Sequence, residues 1–341
     1  MGNNMSAGSR HNQVTQYLDN PRLPLEITLM IAAEICPNCS IEEDAIPATE
    51  DARELQRALG NLAATCKHLH AVANQHRFHS FVMPSDPHFH DRLTWDRRLD
   101  EEIALAQHFK NSGLPALLDR MVTHGWLGDQ LKFLSIREFT LQFKAGVTKP
   151  KLQRFMAASL NFGIPIPTFI PGLLSLPDQT RGTLSPADTV YWLEGQLWLM
   201  QSPFALRECV EFDVWLVKLL LFGSTPRLQK LMMDPEIAKR VFFSQNPPAA
   251  TQPSVTTLGI PQWKGYYPPL FIHEPPKFQM EDLLSSFPNL RAFQNNEAAF
   301  SWSPYRRTPA DRPPLYPNLQ RLVLAADQPG RLHHLTQVLP N

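Results

Sequence analysis

The chain has 341 residues, of which 43% are hydrophobic, 10% aromatic and 19% charged, with 32 Lys+Arg against 32 Asp+Glu. This is enough chain for roughly two structural units at ~150 residues each, and too apolar for a charge-rich disordered protein. A formal net charge of zero supplies no field for nucleic acid or an anionic membrane, so a partner must be met by shape and apolar contact.

Proline is the outlier, with 32 residues, close to twice the usual share of ~5%. It restricts long helices to a few windows. Four cysteines, Cys36, Cys39, Cys66 and Cys209, are too few for a disulfide scaffold and fit a reducing compartment. Residues 1–20 are polar and aperiodic, read as a disordered tail with no signal-peptide core. The most apolar stretch, Val214 to Phe222, has nine residues including Lys218, well short of the ~20 that span a bilayer. The expected location is cytoplasm or nucleus, with no membrane and no nucleic acid among the partners.

In chain order, Leu23-Pro24-Leu25-Glu26-Ile27 opens a helix with proline in the first turn and an acid near the positive dipole end. Ile27, Ile31 and Ile35 follow every four residues along one face. Residues 36–52 carry two prolines and an acidic run and read as a loop. Leu55, Leu59, Leu62, Cys66, Leu69 and Ala73 then form one continuous apolar stripe at helical spacing. Residues 77–83 read as a short extended piece closing a helical module over 21–83, and residues 84–98 read as a linker.

The remainder, 99–341, reads as an irregular α/β region. A helix interrupted near Gly113 and Pro115 covers 99–125, and alternation over Ile136 to Phe143 predicts a strand. Helices are expected over Lys151–Leu160, Pro186–Gln201 and Phe204–Phe222. Residues 247–276 hold eight prolines, and no regular element is expected there. Their aromatic residues Trp263, Tyr266, Tyr267 and Phe271 suit the pinning of a long loop better than contact with a partner.

Three segments share one grammar: Pro226-Arg227-Leu228-Gln229-Lys230-Leu231, Pro288-Asn289-Leu290-Arg291-Ala292-Phe293 and Pro317-Asn318-Leu319-Gln320-Arg321-Leu322. A proline turn feeding a short strand is how a leucine-rich rung enters its strand. The prolines are 62 and 29 residues apart, about two rungs and one rung. The final Val338-Leu339-Pro340-Asn341 begins the same grammar with nothing after it, so the expected array is truncated at its C-terminus.

With Leu23-Pro24-x-Glu26-Ile27 opening the first block and Leu62-Ala63-Ala64-Thr65-Cys66-Lys67-His68-Leu69 in the second, residues 21–83 resemble an F-box of fungal type. The loop from Cys36 to Ala52 is longer than that family's usual connection. The resemblance implies a mainly α chain with short strands, a three-helix F-box module followed by a leucine-rich-repeat-like array. It also implies a non-catalytic receptor subunit of an SCF-type cullin-RING ubiquitin ligase, whose F-box docks on the Skp adaptor while the array binds a protein substrate. By position in the motif, Leu23, Pro24, Ile27, Ile31, Leu62, Cys66 and Leu69 carry adaptor contact, whereas Ile35 and Leu59 are assigned to the core.

Two chemistries compete. Cys36-Pro37-Asn38-Cys39 has zinc-knuckle spacing, with Cys66, His68 and His70 as the available second set. Because Cys66 belongs to the apolar stripe, no metal and no cofactor is expected. His88-Phe89-His90-Asp91 resembles the paired metal histidines of amidohydrolases, but His108 and His124 fall in helical windows where further ligands are wrong, so a solvated linker is preferred to a hydrolase. A scaffold that binds another partner without ubiquitin remains the alternative to the receptor.

Overall fold

The computed structural model describes residues 23–40, 45–46, 49–82, 113–136, 147–175, 205–233, 235–242, 251–260, 283, 285–295 and 318–324. The chain divides into two compact units, Met1–Val82 and Met83–Asn341. It is helix-rich, with a small parallel sheet in the second unit.

In the first unit, helix α1 (Leu25–Glu34) starts from Pro24, which sits at the N-cap, one position before its expected place. Helix α2 (Thr49–Thr65) begins inside the segment read as a loop, because Glu50-Asp51 and Arg53-Glu54 are good first-turn and helix-forming residues once the prolines are passed. The long stripe runs over two helices. It breaks at Cys66, whose backbone is extended (φ −157°, ψ 167°) at the N-cap of helix α3 (Lys67–Arg77). A four-three periodicity survives such a break when both helices turn their apolar faces to the same core. That core is Ala32, Leu59, Ala63, Val72 and Ala73, with Leu29, Ile35 and Leu62 packed on its rim. Strand β1 (Ser80–Val82) closes the unit beside α2, where the Gln56 amide donates to the Ser80 carbonyl at 3.4 Å.

Among the described residues, helix α4 (Leu114–Thr123) comes first in the second unit. Gly113 is its N-cap and Pro115 occupies its first turn, where a missing N–H is harmless; residues 99–112, the first part of the interrupted helix expected over 99–125, lie outside the described residues. A short helix α5 (Trp126–Gln130) leads into strand β2 (Phe133–Ile136), which begins three residues before the expected strand; positions 137–143 lie outside the described residues. Helix α6 (Lys149–Phe162) ends at Gly163 with φ +67°, where Ile164 N–H donates to Ser159 O at 2.9 Å, a left-handed cap that only glycine adopts readily. Helices α7 (Ile170–Ser175) and α8 (Ala205–Lys218) follow, and α8 runs into a π-helical turn, Leu219–Ser224. Then come strand β3 (Lys230–Met233), helix α9 (Pro235–Phe242), and strands β4 (Thr257–Ile260), β5 (Ala292–Asn295) and β6 (Arg321–Leu324). The helix expected over Pro186–Gln201 lies outside the described residues.

Strand β4 corrects the expectation that 247–276 holds no regular element, and it is the fourth copy of the repeat. Its turn, Gln252-Pro253-Ser254-Val255, lacks leucine but places a proline where the other copies have one. Strands β2 to β6 pair parallel in chain order, with Phe133, Lys230, Thr257, Ala292 and Arg321 in one row. The last four are therefore 27, 35 and 29 residues apart.

Three rungs repeat the same turn bond. Leu228 N–H donates to Thr225 O at 3.3 Å, Val255 to Gln252 at 3.3 Å and Leu290 to Phe287 at 3.1 Å, three β-turns with proline second. The rungs of β3 to β6 each give two consecutive N–H groups to one carbonyl of the rung before: Gln229 and Lys230 to Lys132 O (2.8 Å each), Thr256 and Thr257 to Gln229 O (2.8 and 3.1 Å), Arg291 and Ala292 to Thr256 O (2.8 and 3.0 Å), Gln320 and Arg321 to Arg291 O (2.7 and 3.0 Å). Leu131, Leu228, Val255, Leu290 and Leu319 stack as one buried column, and Leu134, Leu231, Leu258 and Phe293 as a second.

The π-helical turn leaves carbonyls that need donors. Thr225 Oγ1 donates to Leu220 O at 3.0 Å, and the buried Gln252 amide donates to Leu221 O and to Thr225 O (3.2 Å), while Gln252 N–H reaches Ser286 O at 2.8 Å in the following rung. Gln252 thus joins three levels of the stack. Gln252→Leu removes the side-chain donor and leaves Thr225 O to the Leu228 N–H and Leu221 O to the long 3.4 Å bond from the Thr225 hydroxyl, a cost of about 0.5–1.5 kcal/mol. Urea unfolding should show a lower midpoint; an unchanged midpoint means that water replaces the amide.

Candidate functional site

Two features of the first unit bear on function. The first is helix α1, which is apolar nearly all round and buries its small residues. Thr28 and Ala32 face inward, and Ala32 meets the core that holds Val72 and Ala73 of α3. The Thr28 hydroxyl donates to Leu25 O at 2.8 Å, so no polar atom is left unsatisfied on that face. Small side chains on the inner face let the two helices approach closely, and they leave the large ones outside. Leu23 is 48% exposed, Leu25 50%, Ile27 41%, Met30 63% and Ile31 40%. Leu23, Ile27, Met30 and Ile31 form a row at four-three-one spacing along one side of the helix, with Pro24 exposed at its start.

The residues singled out from the sequence therefore separate into two groups. Leu23, Pro24, Ile27 and Ile31 lie on the outward side of α1. Leu62 instead packs on the rim of the core, and Cys66 and Leu69 are half-buried around the α2–α3 junction. Ile27, Ile31 and Ile35 do not act as one face. The helix ends at Glu34, and Ile35 turns in onto the core as its C-cap. Leu59 is fully buried. Sequence reasoning missed Leu25 and Met30, although Met30 stands three after Ile27 and seven after Leu23, a helical neighbour of both.

The second feature is a cluster of sulfur and imidazole groups. After α1 the chain turns tightly: Cys39 N–H and Ser40 N–H both donate to Cys36 O at 3.0 Å, and the Ser40 hydroxyl donates to the same oxygen at 2.8 Å. The turn aims both thiols at the end of α3. Cys39 Sγ lies 3.3 Å from His79 Nδ1 and 3.8 Å from His76 Nδ1, and Cys36 Sγ lies 3.9 Å from His79 Nδ1. One ligand atom from each of Cys36, Cys39, His76 and His79 lies within 4.8 Å of all the others. The two imidazoles meet edge to face, 5.1 Å between centroids. Cys36 is buried, the histidines are half-buried and Cys39 is exposed. The Cys36 thiol is pulled down to about 3, chiefly by the hydrogen bond with Cys39, then by His79 and the backbone N–H groups of Cys39 and Asn38, all against the opposing effect of burial.

This corrects the second ligand set read from the sequence. Cys66, His68 and His70 do not join the cluster; His70 Nδ1 pairs with Ala63 O at 3.1 Å, across the α2–α3 junction that Cys66 caps. Counting along the chain for nearby histidines favoured the junction, whereas the antiparallel return of α3 carries its far end, His76 and His79, back to the end of α1. The matched signal was present as His76-x-x-His79, with the same spacing as Cys36-x-x-Cys39. His88 and His90 lie outside the described residues, as do Trp263, Tyr266, Tyr267 and Phe271. No protein-family model matches the chain, and no curated protein or solved structure is significantly similar to it.

In the second unit the sheet of the array expected to bind a substrate is buried over most of its width. Every residue of β2, β3 and β4 is buried, the usual state of a parallel sheet packed on both faces. Solvent reaches the sheet at its later rungs, where Gln294 is half-buried and Arg321 and Val323 are exposed. No helix among the described residues is long and apolar enough to cross a membrane.

Proposed function

We propose that the chain is a substrate-receptor subunit of an SCF-type cullin-RING ubiquitin ligase, with its F-box-like first unit docking on the Skp adaptor. The observation that carries this reading is the outward row Leu23, Ile27, Met30 and Ile31 on α1, together with exposed Leu25. A helix that keeps its large apolar residues in water while burying threonine and alanine is built for a partner to cover. The three-helix order and the two motif blocks supply the identity of that partner by resemblance. The rung array, an irregular leucine-rich-repeat-like stack, is the substrate-binding part, entered around Gln294, Arg321 and Val323. Such a receptor works in the cytoplasm or nucleus and carries no catalytic residue of its own.

The test is copurification of the full chain with a Skp adaptor. A one-to-one complex that is lost when Leu23 and Pro24 are both changed to Ala supports the receptor. Absence of a complex with the unaltered, folded chain rejects the adaptor reading.

A further inference from the structure

The cluster at the joined ends of α1 and α3 is a complete ligand set without a role in adaptor docking. We infer that Cys36, Cys39, His76 and His79 bind one zinc ion in a four-coordinate structural site. This inference stands on its own geometry and is independent of the ubiquitin-ligase reading.

Three observations converge on it. The first is donor chemistry: two thiols and two imidazoles are the mixed sulfur and nitrogen set that selects tetrahedral zinc over the hard, oxygen-seeking cations. The second is size. With Zn–S near 2.3 Å and Zn–N near 2.0–2.1 Å, tetrahedral ligand atoms stand about 3.4–3.8 Å apart. Three of the four sulfur-to-nitrogen separations are 3.3, 3.8 and 3.9 Å, with no pair beyond 4.8 Å. Small side-chain rotations close that gap. The third is the scaffold. Cys36 and Cys39 are fixed by the turn on the Cys36 carbonyl, and His76 and His79 by the last turn of α3 and the His79 N–H to His76 O bond at 3.1 Å. Each pair is thus held by its own short turn, and the ion joins two segments about 40 residues apart in the chain.

Four protein ligands leave no coordination position for water or substrate, so the ion acts structurally and not as a catalyst. Both cysteines bind as thiolates, any thiol proton still held passing to solvent, and the two negative charges balance that of the ion. The consequence is mechanical: zinc pins the C-terminal end of α1 to that of α3 and closes the loop that contains α2.

The test uses the full chain, purified without chelator from zinc-supplemented cells. Elemental analysis should give one zinc per chain, and cobalt replacement should give the ligand-field and thiolate charge-transfer absorption of a tetrahedral two-sulfur, two-nitrogen centre. Cys39→Ser and His76→Ala, chosen because neither residue is buried in the core, should each lower zinc occupancy at least tenfold. A Cys66→Ser, His70→Ala double variant should keep one zinc. Circular dichroism checks that each variant folds, and if both single variants unfold, the cobalt spectrum of the unaltered chain decides. Folded chain with no zinc and no cobalt spectrum overturns the inference. So does zinc retained by both single variants, or an intact mass two protons light that marks a Cys36–Cys39 disulfide.

Discussion

Gly128→Ala is expected to destabilise the second unit by about 3 kcal/mol, at the upper end of what adding a methyl group to a packed interior costs. A Cβ at Gly128 would stand 1.8 Å from the Ser224 carbonyl oxygen and 3.0 Å from its carbon. Both are backbone atoms, so no side-chain rotation relieves the clash. Ser224 cannot retreat cheaply either, since it ends the π-helical turn and precedes Thr225, which is fully buried and bonded to Leu220 O. Gly128 occupies the level that Thr225, Gln252 and Phe287 hold in the later rungs, five residues before the strand. The side chain is omitted at this level because the next rung's backbone fills the space. Gly60 makes the comparison: a Cβ there meets nothing within 4 Å inside α2, so Gly60→Ala should gain about 0.5–1 kcal/mol in the first unit. Urea unfolding of both variants reads the two signs. A Gly128→Ala midpoint equal to that of the unaltered chain would falsify the close approach of these two rungs.

The rungs show what a sequence pattern reveals and what it hides. Pro226, Pro288 and Pro317 were legible because leucine follows each by two, and the 62-residue gap between the first two signalled one missing level. That level was hidden because Val255, Thr257 and Leu258 fill its inward positions and Pro253 sits in a proline-dense stretch. Density of proline argues against helix, yet one proline before a strand is what each rung requires. The buried columns were readable at Leu228, Leu290 and Leu319, whereas burial of the opposite sheet face was not, since no pattern reports what covers a strand such as β2. In the first unit, the period-four isoleucines marked α1, and the division that set Ile27 and Ile31 outside and Ile35 in the core agrees with their burial, although it came from the motif and not from the period. Isoleucine is ordinarily the inward residue; here Ala32 and Thr28 take that place because the closeness of α3 leaves no room for larger groups. The Cys36-x-x-Cys39 pair was visible, and its partners were not, because His76 and His79 are brought near only by the reversal between α2 and α3.

Replacing Ile27 and Ile31 together by Asp is expected to abolish adaptor binding, lowering affinity at least 100-fold, while leaving the unfolding midpoint of the first unit nearly unchanged. The two effects separate because of where the residues stand. Ile27 is 41% and Ile31 40% exposed, and surface changes of this kind alter stability by about 0.5 kcal/mol or less. At a covered interface the same carboxylates would be stripped of water opposite apolar groups, and a 100-fold loss corresponds to only about 2.7 kcal/mol, well within the cost of burying an unpaired charge. Ala32→Asp reverses the pattern. Ala32 is fully buried against the α3 core, so its carboxylate must either disrupt the α1–α3 contact or be forced to take up a proton, and the unit unfolds. Titration calorimetry with the adaptor and thermal unfolding of each variant give four results, of which the pairing matters. If the Ile27, Ile31 double variant binds as tightly as the unaltered chain, the outward row of α1 is not the docking surface, whatever the adaptor contacts elsewhere. If it instead unfolds, these isoleucines hold the helix in place, and the division of α1 into a small inner face and a large outer one is wrong. Binding lost with folding kept is the one combination that follows from a helix whose apolar surface belongs half to its own core and half to a partner.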